Sequence, residues 1–137
     1  MKRRILSALL AIVLVVTMAV PALAASTSAG AYGTLTGRSS IALPTYVRAY
    51  TSVTSNPDYA MLSVRAKFIR IENGFSYTDY HSAISDAGVR SFTNDFNYAD
   101  CVDGGFFTPQ CAECRHTVSG GDGLDSYHTT SSVTVPQ

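Results

Sequence analysis

The clearest pattern in the chain is an alternation of apolar and polar positions with a period of two. Leu62, Val64, Ala66 and Phe68 form one row, while Ser63, Arg65 and Lys67 form the other until Ile69 and Ile71 replace them. That period puts an apolar row on a core and a basic row in water, and so predicts a strand. Asn73-Gly74 follows it, and both residues tolerate the positive φ of a tight hairpin turn, so Phe75-Ser76-Tyr77-Thr78 is expected to return as the partner strand. Residues 46–54 alternate as well: Val47, Ala49, Thr51 and Val53 on one face, Tyr46, Arg48, Tyr50, Ser52 and Thr54 on the other. Asn56-Pro57-Asp58 then supplies turn chemistry, because proline fixes φ and the short polar side chains bond the local backbone.

Elsewhere the pattern is weaker. Tyr32 to Thr36 reads as a short first strand closed by Gly37-Arg38-Ser39-Ser40, with Pro44 as a further stop. Asp79 to Ala87 fits either a short helix capped by Thr78 and stopped at Gly88 or a strand and loop; Val89 to Phe96 fits a strand. Asp100 to Gln110 reads as irregular, and Cys114 to Val118 pairs with Leu124 to Val135 around a glycine-rich turn. Short strands separated by turn signals predict an all-β fold, an antiparallel β-sandwich of about seven strands, with a barrel as the alternative. Composition agrees: after residue 25 glutamate occurs only at Glu72 and Glu113 and lysine only at Lys67, while Tyr, Thr, Ser and Val abound.

The N-terminus carries a different pattern. Met1-Lys2-Arg3-Arg4 is basic, Ile5 to Val20 is apolar except for Ser7 and Thr17, and Pro21-Ala22-Leu23-Ala24 ends in small residues. This order reads as a secretory signal peptide over residues 1–24, and the run is shorter than the roughly 20 residues that span a bilayer. The expected domains are the signal over 1–24, a flexible lead-in over 25–31 and one β-sandwich over 32–137. Cleavage after Ala24 removes three basic residues, so the precursor's balance of ten basic and ten acidic residues becomes seven against ten, a net charge of −3. That charge speaks against nucleic acid as a partner. Without a second spanning run, the released chain is expected to be secreted, extracellular and soluble, with a bacterial type of leader.

Cys101, Cys111 and Cys114 lie close together. In an exported chain the default is one disulfide with one thiol left over, with Cys101–Cys114 slightly preferred and Cys101–Cys111 and Cys111–Cys114 as the other pairings. A second reading joins the three thiols to His116 as a tetrahedral zinc site. A redox role for Cys111-Ala112-Glu113-Cys114 lacks the βαβ setting that such a motif uses. Gly120 to His128 resembles one calcium-binding nonapeptide of the secreted repeat toxins. Such sites are completed by a neighbouring copy, so a single copy reads as a hairpin loop with Asp122-Gly123 at its tip.

His81, His116 and His128 are dispersed, and ordinary surface or loop roles are expected for each. No Gly-x-Ser-x-Gly elbow, phosphate-cradling loop or His-Glu-x-x-His motif appears. The row Tyr46, Arg48, Tyr50 offers flat rings beside a guanidinium for a sugar or a protein partner, provided that it faces outward. The reading that follows is a non-catalytic extracellular binding or structural protein of the cell envelope, with a glycan or a protein at the cell surface as partner and no cofactor. A secreted effector or antimicrobial protein is the first alternative. A secreted metal-dependent hydrolase, built on His116, His128 and nearby acids, is the second.

Overall fold

The computed structural model describes residues 24–43, 46–97, 108–120 and 126–134. These are almost entirely β: β1 (Ala24–Ser28), a 3-10 turn (Gly30–Tyr32), β2 (Thr34–Leu43), β3 (Tyr46–Val53), β4 (Met61–Glu72), β5 (Phe75–Ala87), β6 (Ser91–Asn97), β7 (Thr108–Ser119) and β8 (Ser126–Thr134). The eight strands make two separate antiparallel sheets, β1-β2-β3-β6 (sheet one) and β5-β4-β7-β8 (sheet two), rather than a closed barrel. No helix among the described residues is long and apolar enough to cross a membrane.

The alternation of β4 and β3 sets the two faces as the side-chain pattern requires. Leu62, Val64, Ala66 and Phe68 meet Val47, Ala49 and Val53 in the core between the sheets. The turn at Asn73-Gly74 holds both residues at positive φ, 50° and 81°, and brings Glu72 opposite Phe75. Beyond it the strand reading of Asp79 to Ala87 holds, since β5 runs unbroken to Ala87 and pairs with β4 along its length. Of the stretch read as irregular, Thr108 to Gln110 belongs to β7, and 100–107 lies outside the described residues.

Two further segments differ from their sequence reading. Within the segment 25–31, read as a flexible lead-in from its small polar composition, residues 25–28 belong to edge strand β1, with Ala25 opposite Gly37 and Ser28 opposite Thr34. The first strand does not stop at Gly37; β2 passes straight through it to Leu43. Glycine there answers a close approach from the opposite sheet rather than a turn. The signal peptide reading falls on residues 1–23, outside the described residues, and on Ala24 at the start of β1.

The loop between β3 and β4 is closed by Asn56. Its Nδ2 donates to the carbonyls of Ala60 (2.9 Å) and Val89 (2.8 Å), and its Oδ1 accepts from the Ala60 N–H (2.8 Å). One side chain therefore ties the β3–β4 connection to the β5–β6 connection. Tyr32 adds a second tie, donating its hydroxyl to Asp58 at 2.7 Å. Asn56→Ala strands three backbone groups at once, and is expected to lower unfolding free energy by about 2 kcal/mol. Urea denaturation of the variant checks this, and an unchanged midpoint would show that water replaces the amide without loss.

Candidate functional site

Along β7, Ala112, Cys114, His116 and Val118 face inward. His116 reaches across from sheet two into sheet one and is fully buried. Its Nδ1 lies 2.8 Å from Thr51 Oγ1 on β3, and its Nε2 lies 2.7 Å from Ser131 Oγ on β8. Ser131 in turn is hydrogen-bonded to Ser39 on β2, and Ser39 also bonds the Cys114 thiol. These five residues form a polar layer between two apolar clusters, one around Val47, Phe68 and Phe96 and the other around Tyr32, Leu35 and Leu62. No buried side-chain nitrogen or oxygen among the described residues lacks a partner. Burial without unmet hydrogen bonds is what makes such a layer tolerable in a core.

The electrostatics agree with a structural role. Burial lowers the His116 pKa from 6.5 to about 4, so the ring is neutral at physiological pH, one nitrogen donating and the other accepting. Burial pushes the Cys114 thiol up, against the opposing influence of its hydrogen bond with Ser39. A buried, protonated thiol is a poor nucleophile and a poor ligand.

These positions correct several sequence readings. His116 is a core residue rather than a surface or loop one, because its two ring nitrogens find hydroxyl partners across the core. Of the candidate zinc set Cys101, Cys111, Cys114 and His116, only the Cys114 and His116 side chains are described, so the full set lies outside what the structure describes. Cys114 and His116 do share a face, but both His116 nitrogens are taken by hydroxyls. Cys114 stands as a free buried thiol, while its candidate partners, Cys101 and the Cys111 side chain, lie outside what is described. Cys101 lies outside the described residues, and Cys111 stands in β7 opposite Ile69 and Thr134. The loop tip likened to a calcium nonapeptide, 121–125, is likewise outside them. His81 packs edge-on against Phe68 at 5.9 Å, and His128 is exposed on β8.

The outward faces carry the accessible chemistry. Tyr46, Arg48 and Tyr50 project from sheet one, with the Val47 and Ala49 row buried behind them. β3 is a central strand, flanked by β2 and β6. Arg48 grips Asp95 of β6 with two hydrogen bonds, Nε to Oδ1 and Nη2 to Oδ2, each 2.8 Å. The fork locks the guanidinium plane between the two tyrosine positions. Its hydrogen bonds also hold the Asp95 carboxyl below the usual carboxylate range. Register places Arg38 and Thr93 on either side of Tyr50, and Asn97 beside Tyr46. The face is thus a rigid platform of two phenol rings, a fixed ion pair and short polar side chains.

The outer face of sheet two carries a second cluster: Arg65, Lys67, Tyr80, Glu113 and Arg115 line a shallow concavity of about 220 Å³. The alternation of β4 places Arg65 and Lys67 in water, but their neighbours follow from the β4–β5 and β4–β7 registers, which no local pattern encodes. Comparison of the chain with protein-family models, curated proteins and solved structures finds no match.

Proposed function

We propose that this chain is an exported, non-catalytic binding protein that engages a glycan or a protein at the cell surface through the outer face of sheet one. The observation that carries the reading is the outward row Tyr46–Arg48–Tyr50 on a central strand, held in place by the bidentate Arg48–Asp95 pair. Rigid aromatic rings bind with little loss of conformational freedom, and a guanidinium already fixed by a carboxylate still presents its plane for stacking. The hydroxyl-rich side chains nearby, Ser40, Ser52 and Thr93, add hydrogen-bond partners of the kind that polar sugars use.

Among the described residues, one buried cluster that could otherwise carry chemistry is committed to the core. His116, Ser39, Ser131 and Cys114 would make a nucleophile and base set, yet they are sealed in the core and bonded to one another. Export rests on the basic, apolar and small-residue order of residues 1–24.

Retention of the purified chain on immobilised cell-wall polysaccharide or intact envelope measures the reading. Tyr46→Ala with Tyr50→Ala is expected to reduce retention about tenfold or more, at an unchanged melting temperature, because two aromatic contacts are lost from a solvent-facing row. Retention equal to the parent chain would sink the assignment of this face.

A further inference from the structure

We propose that the outer face of sheet two is a second, separate binding site, for a saccharide carrying a carboxylate, of the uronic acid class. Arg65 on β4 and Arg115 on β7 stand directly opposite each other in the ladder, and both are exposed. Like charges facing across a strand pair are destabilising in the absence of a counter-charge. Among the described residues neither arginine makes a salt bridge; the one salt bridge there is Arg48–Asp95, on the other sheet. Lys67 occupies the next outward position, between Glu113 on one side and Tyr80 on the other. Three cations and one carboxylate therefore share a concavity on a chain whose total charge is zero.

The lining selects the ligand by chemistry. The Arg65 guanidinium lies 4.1 Å from the centre of the Tyr80 ring, which fixes its plane. That fixed guanidinium, with the Arg115 guanidinium opposite it, suits the planar fork of a carboxylate. Glu113 beside Lys67 gives an acceptor and a donor for hydroxyl groups, and it repels a second negative charge at that end. One carboxylate on a hydroxyl-rich ring meets these demands together, whereas a densely charged polyanion does not. The volume, about 220 Å³, is below the roughly 300 Å³ at which drug-sized pockets begin, which fits a single sugar ring resting on a longer chain. Tyr80 and Ile84, both exposed on the adjoining edge strand, extend the platform beside it.

The test is calorimetric titration of the full released chain with an otherwise neutral sugar oligomer, made acidic by a single galacturonic acid residue. Its methyl-esterified counterpart, inorganic phosphate and poly-glutamate serve as comparison ligands. The acidic oligomer is expected to bind, with a salt-sensitive affinity that falls about tenfold or more in Arg65→Ala and in Arg115→Ala. Arg65→Lys with Arg115→Lys keeps the charge but removes the fork, and is expected to weaken binding at an unchanged melting temperature. Tyr46→Ala with Tyr50→Ala should leave this affinity intact, so that failure of the first face and failure of this one are separable. Equal binding of the methyl ester, tighter binding of poly-glutamate or of phosphate alone, or indifference to both arginine substitutions would overturn the proposal.

Discussion

Gly37→Ala is expected to destabilise the fold by about 3 kcal/mol, at the upper end of what overpacking a core usually costs. A Cβ at this position would stand 2.1 Å from His116 Cδ2 and 2.4 Å from Cγ. The obstacle is not the far end of a flexible chain but an imidazole fixed by hydrogen bonds at both nitrogens. Gly37 is not among the positive-φ glycines, so the clash rather than backbone strain carries the effect. Relief can come only by pushing the ring off Thr51 and Ser131 or by separating the sheets. The double variant Gly37→Ala with His116→Ala should therefore lose less stability than the two single changes added together. Urea denaturation of all four proteins measures the coupling. Strict additivity would mean that the glycine and the imidazole do not press on each other.

The second large effect is acid sensitivity from the same ring. His116 has a pKa of about 4 in the folded state against an ordinary value of 6.5. Between these values the unfolded chain binds a proton that the folded chain refuses, so stability is fully present above 6.5 and drains away as pH falls toward 4. Over that window the loss amounts to roughly 3 kcal/mol, and below it this group contributes no further change. Protonation would also make both ring nitrogens donors, so the hydroxyl that had donated to the ring must turn round and become an acceptor. His116→Gln removes the titrating group while keeping polar atoms in the layer. Its stability should be flat over the window, whatever its absolute value. A His116→Gln protein that loses stability with the same slope would place the acid sensitivity elsewhere. Asp95 lies on the acid side as well: its pKa is held low by Arg48, so its contribution is lost only as the carboxyl protonates.

What was legible in the sequence is what depends on near neighbours. The period of two was enough to assign inward and outward rows in β4 and to separate the two rows of β3, and Asn73-Gly74 was enough to fix a hairpin. The same alternation puts Tyr46, Arg48 and Tyr50 on one face of β3, but that this face is the outer one is seen only from the buried Val47 and Ala49 row. What stayed hidden depends on register and on the opposite sheet. Gly37 reads as a turn residue until His116 is seen resting on it from β7. His116 itself looks like a loop or metal-ligand histidine beside three cysteines, and its partners, Thr51 and Ser131, are 65 and 15 residues away in the chain. A usable signal did exist: Thr51 and His116 each interrupt an otherwise apolar inward row, and two polar breaks in facing rows imply that they bond to each other. The arginine pair of sheet two was half visible, since Arg65 sat in a basic row, but only the pairing of β4 with β7 brings Arg115 opposite to it.

The claim on which the rest depends is that the chain's histidine, thiol and hydroxyl chemistry in the core holds the sheets together, leaving recognition to the outer faces. The most direct measurement is a proton–nitrogen correlation spectrum of the histidine rings, recorded as pH falls from 6.5 toward 4, with and without added zinc. A His116 ring that stays neutral in one tautomer until the pH nears 4, and is indifferent to zinc, is the expected result. A ring that protonates near 6.5 or shifts when the metal is added would place His116 within reach of solvent and ligands, and would return it to the list of functional groups.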